Sequence, residues 1–501
     1  MPGVRFRVTI EETGRNDAEF EKKEGSALSE TENSPQAPTD ALPSEQSVAA
    51  AVRAQQQFVR GGATRPVEFR LRQLERLKTA ITRYETHILE ALQRDLHKPE
   101  LEGYSTEVGY AYDSIGYVMK RLKRWAKPER VRTPLTHLGS RSYIYREPYG
   151  SALIIGPFNY PFMLVIDPLI GAIAAGNAAI VKPSEFTPHV SGVIAKMIGE
   201  YFDPEYIQVM EGGQEVTSAL IHAPLDLIFF TGSIQVGKIV MAAAAEHLVP
   251  VVLELGGKSP CIVDREADLG LTARRLVWGK YLNTGQTCVA PDYVLVHESV
   301  KAELIAKMKA QITAFYGDDP QRSPDYGRIV NERHWDRLMG LLDPSKVAAG
   351  GTGDRGDLYL APTIMENVSW EDPVMQEEIF GPILPVLEYR DLDAALRDIG
   401  ERPKPLALYL FTSNAETERK VVESVSFGGG CVNDTVMHLV SPYLPFGGVG
   451  SSGMGAYHGR YSFETFSHRK SVLKKSTRVN LSFIYPPYNT GKLKLIRRFM
   501  K

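Results

Sequence analysis

The hydrophobic pattern changes period along the chain, and those changes divide it. From Arg65 onward Leu71, Leu74, Leu77, Ile81, Tyr84, Ile88 and Leu92 recur at steps of three and four, the stripe of a long amphipathic helix. Beyond Pro148 that period disappears: residues 148–166 carry no charge, and after Asp167 a second uncharged run reaches Val181. Length alone would suit a membrane span. Pro157, Pro161 and Pro168, with Gly156, Asn159 and Asn177, break the run, however, and lipid offers no partner to the backbone groups such breaks expose. The stretch parses instead as a buried strand at 151–155, a loop, a helix through Ala174, a turn at Gly176-Asn177 and a second buried strand at 178–181. Further short apolar runs follow at 206–210, 227–230 and 249–253, with a helix-like segment at 236–247. Strands alternating with helices predict an α/β fold with a doubly wound parallel sheet, and after Glu254 a second such unit runs to about residue 455. No internal repeat is apparent.

Charge adds the termini. The first 45 residues hold ten acids against five bases and read as a disordered acidic tail, while the last ten hold five bases and no acid. That basic C-terminus sits beside apolar side chains, so contact with an anionic membrane surface is one reading and a solvated tail the other. Over all 501 residues, 58 bases against 60 acids leave −2, which provides no global basic field for a nucleic acid. Three cysteines cannot build a disulfide framework, and residues 1–30 show no apolar signal-peptide core. A reducing, cytoplasmic setting is expected, peripheral to a membrane if the basic tail binds one.

Candidate chemistry starts with phosphate. Two Gly-x-Gly-x-x-Gly matches, at Gly351, Gly353, Gly356 and at Gly448, Gly450, Gly453, are decoys: neither follows a strand and opens a helix. Gly232-Ser-Ile-Gln-Val-Gly237-Lys238 does both, yet Ile239 stands where a P-loop needs a magnesium-binding hydroxyl. An anion can still be held there by loop amides and a helix N-terminus, without a metal; a plain tight turn is the other reading. Among the thiols, Cys261 and Cys431 sit in apolar contexts and read as small buried hydrophobes. Cys288 lies in the polar loop Asn283-Thr-Gly-Gln-Thr-Cys-Val-Ala-Pro291, where a thiolate can face a cleft; taken alone it reads equally as a core cysteine. Glu254 ends a buried strand, where desolvation would raise its pKa toward that of a general base, unless it pairs with Lys258. Of the neighbours Glu377 and Glu378, at most one can face a site. The histidines and cysteines show no metal-ligand spacing, so no metal is expected.

Together these residues resemble the aldehyde dehydrogenase superfamily over residues 46–485. The likeness is carried by Gly156-Pro-Phe-Asn-Tyr-Pro161, Val181-Lys-Pro-Ser-Glu185, Phe230-Thr-Gly-Ser233, Leu253-Glu-Leu-Gly-Gly-Lys258, Gly285-Gln-Thr-Cys288, Glu377-Glu-Ile-Phe-Gly-Pro382 and Leu444-Pro-Phe-Gly-Gly-Val-Gly450. The spellings around Cys288 and after Pro445 are similar to the class 3 branch, which includes fatty aldehyde dehydrogenases and fungal apocarotenal-oxidising relatives. Some of its members end in a membrane-anchoring apolar helix, and residues 483–501, a basic tail, do not spell one.

The resemblance implies two doubly wound parallel-sheet domains, a Rossmann-like coenzyme domain (46–130 and 146–254) and a catalytic domain (255–455), plus an oligomerisation β-ribbon from 131–145 and 470–482. It implies Cys288 as nucleophile, Asn159 as oxyanion donor with the Cys288 N–H, and Glu254 as the base for the hydrolytic water. It implies that Lys182 and Glu378 grip the cofactor riboses, that Phe380 packs near the nicotinamide ribose, and that Gly232, Ser233, Val236 and Gly237 flank the pyrophosphate. Glu185 would accept from the adenosine 2′-hydroxyl, favouring NAD, with NADP as the second option. Tyr160, His438, Tyr443 and Phe446 are candidates for a substrate funnel or for ordinary packing. The implied reaction is NAD(P)-dependent oxidation of a long, apolar aldehyde by a homodimer, with a polyene (apocarotenal) or aromatic aldehyde as the alternative substrate. A non-redox cysteine acyltransferase or hydrolase leaves the nucleotide-site residues unexplained; a non-catalytic derivative leaves the retained Cys288 and Glu254 unexplained; and a CoA-acylating enzyme would not need Glu254.

Overall fold

A computed structural model describes residues 43–481 and 484–500. Of the acidic tail read over residues 1–45, only the last three positions fall among them, and there Ser44 already caps the helix Glu45–Arg60 by accepting from the Ser47 N–H. The amphipathic stripe lies on the helix Val67–Leu96, whose buried residues include Leu74, Leu77, Ile81, Tyr84, Ile88 and Leu92.

The uncharged stretch folds as strand, helix, strand. Ser151–Ile155 and Ala178–Lys182 are buried at every position, as is the intervening helix Met163–Ala175. They belong to a six-stranded sheet ordered Gly453–Met454, Val251–Glu254, Leu227–Thr231, Ser151–Ile155, Ala178–Lys182, Ile207–Val209, parallel except for its first member. Both faces are covered, which is why these strands read as continuous apolar runs. Ala152, Ile154, Val181 and Phe229 pack into one core with the helices Val67–Leu96, Gly109–Trp125 and Met163–Ala175. Leu153, Ile155, Ile180 and Phe230 turn to the other face, against residues of Glu45–Arg60, Gln214–Ile221 and Ile234–Glu246. The Gly176-Asn177 turn is stitched by Asn177, whose side chain accepts from the Gly150 N–H (3.0 Å) and donates to the Phe466 carbonyl (2.8 Å).

A second sheet of seven strands follows: Val347–Ala349, Thr363–Met365, Ile383–Tyr389, Tyr293–His297, Pro260–Val263, Ala407–Phe411 and Gly429–Val432, parallel except for the first. The chain first passes between the sheets through residues 255–259, only five residues from the carboxyl end of Val251–Glu254 to the amino end of Pro260–Val263. Gly453–Met454, within the stretch assigned by sequence to the second unit, returns to pair antiparallel with Val251–Glu254.

The ribbon is a three-stranded antiparallel sheet of Glu129–Val131, Ser140–Pro148 and Ser467–Lys475. Its strands are displaced from the 131–145 and 470–482 expected: a 3₁₀ turn, Leu135–His137, interrupts the first segment, and the second begins three residues earlier, at Ser467. Most of its positions are exposed, so no burial pattern marks its register. The basic C-terminus forms the helix Thr490–Phe499, with Leu493 and Leu495 exposed. Among the described residues no helix is long and apolar enough to cross a membrane.

Candidate active site

Parallel sheets bind ligands beyond the carboxyl ends of their strands. Lys182, Thr231 and Glu254 are the last residues of three strands of the first sheet, with Thr231 in register with Glu254 and Lys182 with Ile155. Glu254 is only 2% exposed, and neither of its carboxylate oxygens has a hydrogen-bond partner. Burial therefore pushes its pKa well above the usual carboxylate range. Lys258 does not relieve it: its ammonium donates to Asp292 Oδ2 at 2.5 Å and to the carbonyls of Val374 and Glu377. Asp292 Oδ1 in turn accepts from the Ile379 N–H (2.9 Å), so this pair fixes the segment carrying Glu378. Glu378 lies over Gly256, where a Cβ would stand 2.1 Å from Oε2. Burial and then Asp292 raise its pKa to about 8, against the Gly257 N–H, Lys258 and Arg337. Glu377 is exposed, so one of the two neighbours faces inward.

Cys288 reaches the same crevice from a distorted loop. Asn283 (φ 50), Thr284 (φ 56) and Gly285 (φ 73) are successively left-handed, a region in which β-branched Thr284 is strained. The surroundings hold this shape. Glu102 accepts from the Asn283 N–H (3.0 Å), while Gln286 donates to the Arg328 carbonyl (2.9 Å) and accepts from the Val330 N–H (3.0 Å). Gly285 has no room for a side chain: a Cβ would meet the Gly381 carbonyl oxygen at 2.3 Å. Asn159 closes the loop from the first sheet, its amide donating to the Gln286 carbonyl (2.9 Å), and Tyr160 pairs its hydroxyl with Thr287 (2.9 Å). Burial, then the Glu378 and Glu254 carboxylates, push the Cys288 thiol up; the Cys288 and Val289 backbone amides oppose them.

The residues expected to meet a dinucleotide lie at and beyond the strand ends. Ser233 caps the helix Ile234–Glu246 by accepting from the Val236 N–H, so Gly232 and Ser233 stand at a helix N-terminus, the end of a helix that favours anions. Gly232 and Gly237 are required by packing: a Cβ would lie 2.6 Å from the Phe230 ring at the first and 2.7 Å from Leu255 at the second. Lys182 donates to Glu185 at 2.5 Å. Phe380 (φ 51) sets its ring edge-on to Phe158, 5.6 Å between centroids.

A thiol near two carboxyls, one of them buried at a strand end, is held in a loop that a side-chain amide from the first sheet closes. The sequence profile of the aldehyde dehydrogenase family matches residues 27–472. The chain belongs to that family. It is 54% identical over 440 residues, 87% of this chain and 96% of the relative, to the 4,4'-diaponeurosporen-aldehyde dehydrogenase of Staphylococcus aureus. It is 49% identical to the dimeric NADP-preferring aldehyde dehydrogenase of Mus musculus, covering 83% and 92% of the two chains. Among solved structures, the substrate-bound state of Staphylococcus aureus AldH superposes with a TM-score of 0.89 at 52% identity, covering 91% of this chain and 99% of that one.

In this aldehyde dehydrogenase the four funnel candidates separate. Tyr160 and Phe446 are buried, the latter stacked on His458 with 5.0 Å between centroids. His438 packs 6.0 Å from Phe446, its Nδ1 3.6 Å from the Cys431 sulfur, and burial lowers its pKa to about 4. Cys431 is thus only partly buried, unlike the packed Cys261 and contrary to the reading of both as core. Tyr443 is 67% exposed and accepts from Arg121, beside a cavity of about 300 Å³ lined by Tyr110, Tyr117, Arg121, Val440 and Pro442. Gly353–Asp354 pairs with Tyr359–Leu360 as a small antiparallel ladder, and Gly450–Ser452 is a 3₁₀ turn, so neither glycine decoy opens a βα unit. Among the described residues no group of three or more His, Cys, Asp or Glu could hold a metal.

Sequence reasoning missed the residues behind the loop: Lys98, Glu102, Glu107, Asp167 and His458. Asp167 and His458 are buried with facing atoms 3.8 Å apart; burial raises the first to about 6 and lowers the second to about 3, so each is held toward its neutral form. They are isolated letters with no motif spacing.

Gly285→Ala tests the loop geometry. A left-handed alanine against the Gly381 carbonyl should lower stability by about 3 kcal/mol and remove most activity; urea unfolding showing no loss would contradict the packing described.

Proposed function

We propose that the chain oxidises apolar aldehydes to carboxylic acids, with Cys288 as the nucleophile and Glu254 as the base for the hydrolytic water. The observation that carries this reading is the meeting of a loop thiol with a buried, unpartnered carboxyl at the carboxyl edge of a nucleotide-type sheet. Cys288 Sγ adds to the aldehyde carbon, its proton leaving to solvent, and the C=O pair moves onto oxygen. An amide nitrogen carries two hydrogens, so Asn159, which spends one on Gln286, keeps one for that oxyanion alongside the Cys288 N–H. NAD(P), when bound, would supply the acceptor for the hydride that the adduct gives up. Glu254 then takes a proton from water, whose oxygen attacks the acyl carbon; the C–S bond breaks and sulfur leaves with its electron pair.

Lys182, Glu378, Phe380 and the Gly232-Ser233 helix end, with Val236 and Gly237, would hold the cofactor. Glu185 would accept from an adenosine 2′-hydroxyl, favouring NAD. Its charge is shared with Lys182 at 2.5 Å, which weakens repulsion of a 2′-phosphate and supports tolerance of NADP, the cofactor in the mouse relative's name. A long apolar aldehyde is the first reading of the substrate. A polyene aldehyde is the second reading, favoured by the name of the Staphylococcus aureus relative. Assembly as a homodimer agrees with the mouse relative's name.

Cys288→Ala should abolish oxidation of every aldehyde while NAD still binds; turnover above a few per cent would remove Cys288 from the reaction. Glu254→Gln should spare the first-turnover burst of NADH and slow the steady state. Because burial raises Glu254, its base form is lost as pH falls through a value above 4.5, so the wild-type steady-state rate should fall on that acid limb and the variant should lack it. An identical limb in the variant would assign the base elsewhere. Glu185→Gln should raise the NADP/NAD ratio of kcat/KM about tenfold; an unchanged ratio would show that Glu185 does not face the 2′ position.

A further inference from the structure

Behind Asn159 lies an ion pair with no access to solvent. Lys98 Nζ and Glu107 Oε1 are 2.5 Å apart, and both side chains are 0% exposed. Burying two charges is costly unless every remaining donor and acceptor is satisfied. Here they are satisfied by one short segment. Lys98 donates to the Asn159 carbonyl (3.1 Å) and places its ammonium 4.2 Å from the centre of the Tyr160 ring. Glu107 Oε2 accepts from the Phe162 (2.9 Å) and Met163 (3.1 Å) amides, capping the helix Met163–Ala175, which has no cap from its own N-terminal side chain. One pair thus grips residues 159–163 at both ends.

Glu107 reaches that position through an irregularity. It lies in a π-helical turn, Tyr104–Val108, between the helices Glu100–Gly103 and Gly109–Trp125. A π-turn carries one residue more than an α-turn, which rotates the succeeding residues by about 100° around the axis. The clamp continues forward. The Asn159 carbonyl also accepts from Asn283 (2.7 Å), the Asn159 amide donates to Gln286, and Tyr160 joins Thr287, the neighbour of Cys288.

We propose that Lys98 and Glu107 are positioning residues: the buried pair sets the Asn159 side chain against the Cys288 loop, and thereby the oxyanion site. This rests on the reading of Asn159 as the oxyanion donor. The pair touches no substrate; it acts through the Asn159 backbone. A pair serving stability alone would affect every step alike and would be indifferent to what Asn159 carries.

The experiment is a double-mutant cycle on the whole chain, read as the first-turnover rate of NADH formation at saturating NAD and aldehyde, with cofactor binding as a check on folding. Asn159→Ala should slow that rate about 100-fold. Lys98→Met should slow it at least tenfold in the wild-type background and less than twofold in the Asn159→Ala background, because the group it positions is gone. Glu107→Gln, which keeps size and one acceptor, should repeat the pattern and serves if Lys98→Met does not fold. Equal losses in both backgrounds, or a full-rate first turnover in the single variants, would overturn the positioning role. A normal first turnover in Asn159→Ala would instead overturn the oxyanion reading itself.

Discussion

Two acids that resist ionisation share one crevice, and the rest of the site is arranged around that constraint. Burial holds Glu254 toward its neutral form, and burial together with the Glu378 and Glu254 carboxylates does the same to Cys288. A thiol and a carboxyl so placed cannot both be charged at little cost. Ionising either group therefore raises the cost of ionising the other. In the proposed reaction the thiol acts first and the carboxyl later, so the two need not be charged together.

The fold makes the crevice in one stroke. Residues 255–259 carry the chain from the carboxyl end of one parallel sheet to the amino end of the next, so Glu254 and Gly256 lie where the two sheets meet. Glu378 fills the space that the missing Gly256 side chain leaves, and Lys258, drawn away to Asp292, holds the Glu378 segment instead of neutralising Glu254. The left-handed Asn283-Thr284-Gly285 run presses the Cys288 loop against Gly381 on the same side. Where Gly285 meets Gly381, backbone meets backbone with no side chain to yield.

Much of this is legible in the residues. The apolar runs at 151–155, 178–181 and 227–230 announce strands because helices cover both faces of the sheet, and Pro157, Pro161 and Pro168 exclude a membrane span. Gly232 and Gly237 read as a phosphate-type turn because a helix begins at once. What could not be read is long-range. Lys258 is as close in sequence to Glu254 as a partner should be, and only the fold gives it Asp292. Glu107 looks like any exposed helical glutamate, since nothing in Tyr-Ser-Thr-Glu-Val spells a π-turn. The ribbon strands have mostly exposed positions and no buried face, so their register escaped, and Gly453–Met454 is too short to announce a strand.

The coupling between thiol and carboxyl can be measured directly. In a Cys261→Ser/Cys431→Ser background, the rate of Cys288 alkylation by iodoacetamide across pH gives its thiol pKa, first with Glu254 and then with Glu254→Gln. A wild-type value above the ordinary thiol value of about 8.5, falling when the Glu254 charge is removed, is the predicted result. An unshifted thiol in the wild type, or the same pKa in both proteins, would contradict a shared crevice.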